Sequence, residues 1–459
     1  MTKAPLLAPL LLCAVLLPSL LSAQVGSEAG STPTDTVRLS LGDVLESALR
    51  THPTVAGAEA HRRASAAWVA EARSAWLPTV AASALARRHQ EPMVVAPLHG
   101  FSLQSPPAFD ETLYQGHASV DYALFDGARA ARVRAASAVE SSLEAGVAVA
   151  REAVLAEVTS AYLGAMTARD VLRAQRLRVT ALEEEGERAA LLFREGRAPR
   201  LAVLRAEAAL SRARAEREAA VEELALALRR LARVSGLEDA RVRDATLVAL
   251  APDDGPPPPR AALVDRARAV DNPALARAAD RVAATESRVS AAKSSFLPRV
   301  SLTGRYSAFG APSVDFTGEW QAGVQLSYPL FTGGARVAAV ERARADAEAA
   351  RAERQLVERR LVDAVDAGLS AYRTARARTE ALEAAVTQGE EVARIEALAL
   401  ASGAGVQTDY LRAEAELAEV RSALAQARHA AVEARVGLAR ATGTLTMEWL
   451  EQWTERAGP

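Results

Sequence analysis

Two hydrophobic periods divide this chain. Residues 127–193 contain no proline, and Val154, Val158, Tyr162 and Met166 recur there at helical spacing. Residues 334–401 repeat the pattern with Leu361, Val365, Leu369 and Tyr372. At 1.5 Å per residue each stretch predicts a helix about 100 Å long. No compact domain needs helices of that length, so they predict a coiled-coil-like bundle or tube. Val221, Leu224, Leu228 and Leu231 predict a return helix over 200–234, and its twin is expected over 406–442. A short helix opens the plan, with Ser40 and Asp43 spaced as a capping box. A second, from about Thr54 to Ala75, ends at Pro78, and its counterpart ends at Pro298.

Between these prolines and the long helices the period drops to two. Val300, Leu302, Gly304, Tyr306 and Ala308 alternate with Arg299, Ser301, Thr303, Arg305 and Ser307. Trp320, Ala322, Val324, Leu326, Tyr328 and Leu330 alternate with Gln321, Gly323, Gln325 and Ser327. Tyr114, Gly116, Ala118, Val120, Tyr122 and Leu124 alternate with Gln115, His117, Ser119 and Asp121. Strands are therefore predicted at about 78–90, 113–125, 298–309 and 319–331, the first with weak alternation. One apolar face and terminal aromatics fit transmembrane barrel strands; a half-buried soluble sheet alternates the same way. The membrane reading is preferred because the helices spend their apolar stripes on one another. Trp76, Phe125, Phe296 and Phe331 would mark one membrane interface, and Tyr114, Phe309 and Trp320 the other. Four strands cannot close a barrel, and open edges do not survive in lipid, so the pore requires several copies. Arg299, Arg305, Asp121 and Gln325 on the polar faces want water, which favours three copies over two.

The chain is written twice. Ala75-Trp76-Leu77-Pro78 returns 220 residues later as Ser295-Phe296-Leu297-Pro298. Tyr122-Ala123-Leu124-Phe125-Asp126-Gly127 returns 206 later as Tyr328-Pro329-Leu330-Phe331-Thr332-Gly333. Leu204-Arg205-Ala206-Glu207-Ala208 returns as Leu411-Arg412-Ala413-Glu414-Ala415. The first half carries 14 extra residues in the loop near Gln90 to Thr112. The expected organisation is a leader over 1–23, a first repeat over 24–250, a proline-rich linker over 251–260, a second repeat over 261–445 and a tail over 446–459.

Composition narrows the function. Aromatics are 4% of the chain, and alanine is abundant, which suits long closely packed helices. Lys+Arg number 55 against 57 Asp+Glu, which argues against nucleic acid as a partner. Lys3, the apolar run 6–21 and Leu21-Ser22-Ala23 read as a secretory signal peptide. The one cysteine, Cys13, lies inside it behind a bulky Leu12, a poor lipidation site, and excludes disulfides and thiolate metal clusters. No later run of 18 apolar residues predicts a transmembrane helix. P-loop, nucleophile-elbow and zinc-protease motifs are missing, so the expectation is no enzyme, cofactor or metal. The rival from another class is a periplasmic coiled-coil structural protein, which leaves the four alternating segments unexplained.

The two turns read Phe193-Arg194-Glu195-Gly196-Arg197-Ala198-Pro199-Arg200-Leu201 and Leu400-Ala401-Ser402-Gly403-Ala404-Gly405-Val406-Gln407-Thr408-Asp409. Together with the leader, the duplication, the Leu-Pro strand starts and the Leu-Phe-x-Gly strand ends, they resemble the TolC family of outer-membrane efflux and export ducts. The resemblance implies a mainly α fold with a small transmembrane β part: long helical hairpins in a trimeric α-helical tube, joined to a shared 12-stranded β-barrel with four strands per chain. It implies a homotrimer in outer-membrane lipid whose tube docks on a periplasmic adaptor (membrane fusion) protein and an inner-membrane pump of the RND or ABC type. The duct would serve small-molecule (drug or metal) efflux or, alternatively, type I protein secretion. By the same resemblance the tips carrying Gly196, Arg197, Leu201, Gly403, Ala404 and Val406 contact the adaptor; Gln407 lies on the predicted second tip. Asp409 would narrow the entrance, one turn before Arg412, which stands where a second aspartate can occur. Ala202 occupies the first-half counterpart of Asp409, so a double acidic ring is not expected, and an Asp409–Arg412 pairing competes with a free acidic ring.

Overall fold

A computed structural model of the chain describes residues 38–95, 99, 104, 108–250 and 255–455. The predicted leader lies outside these residues. The first repeat runs β1 (Arg38–Leu39), α1 (Leu41–Thr51), α2 (Pro53–Ser74), β2 (Thr79–Arg88), β3 (Met93–Val94), β4 (Ala108–Phe109), β5 (Thr112–Phe125), α3 (Arg129–Arg194), α4 (Arg200–Ser235), α5 (Asp239–Asp244) and β6 (Thr246–Leu247). The second runs α6 (Arg260–Ala267), α7 (Pro273–Lys293), β7 (Arg299–Ala311), β8 (Val314–Ser327), α8 (Ala335–Ser402) and α9 (Gln407–Ala441), followed by α10 (Met447–Glu455) inside the expected tail.

Local chemistry sets these boundaries. Ser40 and Asp43 close the capping box: the Asp43 N–H donates to Ser40 Oγ (3.2 Å) and the Ser40 N–H to Asp43 Oδ2 (3.0 Å). α2 and α7 both begin with proline behind a capping side chain, His52 or Asn272. The return helices α4 and α9 are followed by Gly236 and Gly443, both at positive φ. Neither position has room for a side chain: a Cβ at Gly236 would lie 2.2 Å from Thr51 Oγ1, and one at Gly443 2.9 Å from Pro273 Cδ.

α3–α4 and α8–α9 are antiparallel hairpins, and α9 also packs along α3. Alanines such as Ala161, Ala165, Ala213, Ala418 and Ala427 fill the seams, which lets the backbones approach closely. The largest core lies partway along the tube. There α1, α3, α4, α9 and α10 bury Leu41, Val44, Leu45, Val158, Tyr162, Leu231, Val436 and Leu450. β1 and β6 pair in parallel beside it, and the Tyr162 hydroxyl contacts the carbonyl oxygens of Leu39 (3.0 Å) and Val248 (2.7 Å). Tyr372 holds the corresponding place in the second repeat, its hydroxyl donating to the Gly255 carbonyl (3.3 Å).

The four long strands form one antiparallel sheet in the order β2-β5-β7-β8. β8 begins at Val314 and ends at Ser327, not over 319–331 as expected. Pairing of Ala311 with Val314 starts it early, and Pro329, which lacks an N–H, falls beyond its end. Among the described residues both outer strands leave an unpaired edge.

Candidate functional site

The sheet has two chemically distinct faces. Register places Ala84, Ala118, Tyr306 and Trp320 on one face, with Val80, Val324 and Leu326. These large side chains are exposed (Trp320 72%, Val324 65%, Leu326 68%), and no helix among the described residues covers them. The opposite face carries Ser83, His117, Ser119, Asp121, Ser307, Arg305, Gln321 and Gln325. An apolar outside and polar inside is the barrel-strand arrangement. From the Arg299–Ser327 row to the Tyr306–Trp320 row is seven residues, about 23 Å along the strand, which at the roughly 40° tilt of barrel strands covers about 18 Å of a membrane band about 25 Å tall.

Trp76, Phe125, Phe296 and Phe331 gather where strands meet helices, and all are exposed. Two arginines one repeat apart pin this level: Arg129 lies over Trp76 (4.5 Å), and Arg336 over Phe296 (4.9 Å). Asp126 accepts from Arg299 (2.7 Å), Arg132 (3.2 Å) and the Ala128 N–H (3.0 Å), tying the end of β5 to the start of β7. Tyr114 and Trp320 stay on the apolar face toward the other end. Phe309 does not. Its odd position puts it with Ser307 on the polar face, where it is buried (4%) against Val95, Phe109, Leu113 and Ala311, edge-on to His117. Tyr306 and Phe316 supply the exposed aromatic surface expected of it.

At the far end of the helices the turns carry Gly196 (φ 73°) and Gly403 (φ 79°), the left-handed conformation that ends a helix sharply. Gly405 is needed for a different reason: a Cβ there would lie 2.8 Å from the Leu400 backbone N. Arg197, Leu201, Ala404 and Val406 are exposed, and Arg197 pairs with Glu195 (3.3 Å). Asp409 and Arg412 are both exposed, and no ion pair joins them within the chain among the described residues. Asp409 sits in the first turn of α9, where the helix dipole favours an acid.

Gln407 does not project. Its side chain turns inward, and Nε2 donates to Glu185 Oε1 (2.7 Å) and to the Ala202 carbonyl (3.0 Å), fastening the second hairpin to the first. Glu185 is buried and held by Arg188 (2.7 and 3.2 Å), which also reaches the Leu400 carbonyl (3.3 Å). Just above, Leu411 packs on Val179, Leu182 and Ala213. Tyr410 and Glu414 line the same seam, and burial pushes both acids upward. Sequence reasoning missed this clasp. Glu183, Glu184 and Glu185 are consecutive, and only three-dimensional packing selects the one that faces α9.

An open-edged membrane sheet standing on two long, duplicated helical hairpins defines a subunit of an outer-membrane channel. The chain belongs to the outer membrane efflux protein family, whose model matches residues 44–237 and 263–444. The family consists of outer-membrane channels rather than enzymes, so the sheet lies in the outer membrane and the helices in the periplasm. The fold is that of VceC from Vibrio cholerae (TM-score 0.74, 20% identity, covering 88% of this chain and 96% of that one). CmeC from Campylobacter jejuni is similarly alike (TM-score 0.76, 17% identity, covering 91% and 90%). Protein CyaE of Bordetella pertussis is 35% identical over 273 residues, 56% of this chain. The chain spans about half (55%) of the length of that relative.

Proposed function

We propose that this protein is the outer-membrane duct of a tripartite efflux system, assembled as a homotrimer. Three copies would join their sheets into one 12-stranded barrel and their hairpins into one periplasmic tube. The unpaired outer strands carry this reading, because an edge exposed to lipid leaves backbone groups without partners and must be closed by another strand. The polar inner face supports a water-filled conduit. Substrates would be small molecules delivered by an inner-membrane pump through a periplasmic adaptor, and the energy would come from the pump.

The exposed tip residues Gly196, Arg197, Leu201, Gly403, Ala404 and Val406 would be the adaptor contact. Asp409 and Arg412 would line the entrance, and the Gln407–Glu185–Arg188 clasp would hold the tips together. The sole cysteine, Cys13, falls in the predicted leader, so a unique thiol can be introduced. Ala404→Cys carrying a short photo-crosslinker should capture an adaptor in intact cells. Co-capture of an RND pump supports small-molecule efflux; co-capture of an ABC transporter would move the assignment to type I secretion. Outer-membrane protein that captures no adaptor would overturn the docking assignment.

A further inference from the structure

We infer that β8 pairs with β2 of the next copy in one fixed register, placing Gln325 opposite the partner's Leu85 and Leu326 opposite the partner's Ala84. This rests on the trimer proposed above and specifies its seam. Nearly the whole of β2 and β8 is exposed, and their outer edges are unpaired among the described residues.

The register follows from the duplication. In the first hairpin Thr79 faces Asp121 and Ala86 faces Tyr114; in the second, Arg299 faces Ser327 and Tyr306 faces Trp320. Shifting the first strand by 220 residues and the second by 206 turns one hairpin into the other, pair for pair. The pairing of β5 with β7 joins repeat one to repeat two inside the chain, with Ser119 facing Arg305 and Val120 facing Gly304. The same two shifts carry β5 onto β8, and carry β7 back onto β2 of a second copy. They yield Gln325 with the partner's Leu85, Leu326 with the partner's Ala84, and Val324 with the partner's Ala86. Side-chain direction agrees: Leu326, Val324, Ala84 and Ala86 share the lipid face, and Gln325 and Leu85 share the polar face. Bulky side chains meet alanine across the seam on the lipid side.

An independent feature supports the seam. At the internal joint a Cβ on Gly127 would lie 2.6 Å from Leu297 Cδ1, so glycine receives leucine there. The corresponding residues are Gly333, with nothing within 4 Å of its Cβ position, and Leu77, which is 66% exposed. In the proposed seam the partner's Leu77 would enter the open space at Gly333. One contact is not repeated: the Asp126–Arg299 ion pair (2.7 Å) becomes Thr332 and Thr79. The seam between subunits therefore closes without that charge.

Opposed residues on antiparallel strands lie within disulfide reach. The double variant Gln325→Cys with Leu85→Cys, oxidised in membranes and run on a non-reducing gel, should give mainly covalent trimer. The displaced pair Gln325→Cys with Arg87→Cys should give at least tenfold less. Leu326→Cys with Ala84→Cys repeats the test in the alternate class of hydrogen-bonded pair. Equal or better linkage by the displaced pair, or none by either in-register pair while light scattering shows a trimer, would overturn the register. A mass other than trimer would instead remove the assembly itself.

Discussion

The tip clasp makes a quantitative prediction. Gln407→Leu removes one hydrogen bond to the buried Glu185 carboxylate and one to the Ala202 carbonyl. A bond to a charged group contributes about 1.5–3 kcal/mol and a neutral one about 1 kcal/mol. Against this, Gln407 Oε1 is buried with no partner, at a cost of about 1 kcal/mol or more that leucine does not carry. The net loss is about 2 kcal/mol per subunit, because Arg188 still pairs with Glu185. That shifts a closed-to-open equilibrium of the second hairpin about 30-fold toward open. Gln407→Glu should go further by setting two carboxylates together. Single-channel recording in planar bilayers should show more frequent or larger openings in both variants, more so for the glutamate. Unchanged conductance in both, with trimers intact, would refute the clasp as a restraint on the entrance.

Three further outcomes can be tested. Burial pushes the Glu152 carboxyl up to about 7, with Arg440 opposing. The folded chain thus holds a proton that the unfolded chain loses near pH 4.5, so this contribution is full below that pH and is lost as pH rises through 7. Glu152→Gln should leave the thermal midpoint unchanged at pH 4.5 and raise it at pH 8.5, by up to about 3 kcal/mol in stability; a gain of equal size at both would contradict the burial argument. Tyr162→Phe strips the hydroxyl from the Leu39 and Val248 carbonyls and should cost about 1–3 kcal/mol, read as a lower melting temperature or faster proteolysis next to β1. If Asp409 and Arg412 pair between subunits, charge reversal at either should raise conductance and the double reversal should restore it; unchanged single variants would exclude that pairing.

The periods, the duplication and the turn glycines were enough to determine the long hairpins, the four strands and the sharp tips. These features are local: a helix needs its stripe, a strand its alternation, and a sharp helix end a residue that tolerates positive φ. The family itself was legible because the same landmarks recur in the same order twice. Tertiary structure decided what one-dimensional spacing cannot carry. Phe309 reads as a terminal aromatic; its odd position already puts it on the polar face, but only packing buries it there, against Val95, Phe109 and Leu113. Gln407 reads as an exposed tip residue but turns inward, because α9 lies against α3 and brings Glu185 and the Ala202 carbonyl within reach. Both depend on which elements become neighbours, a property of packing between segments far apart in the chain.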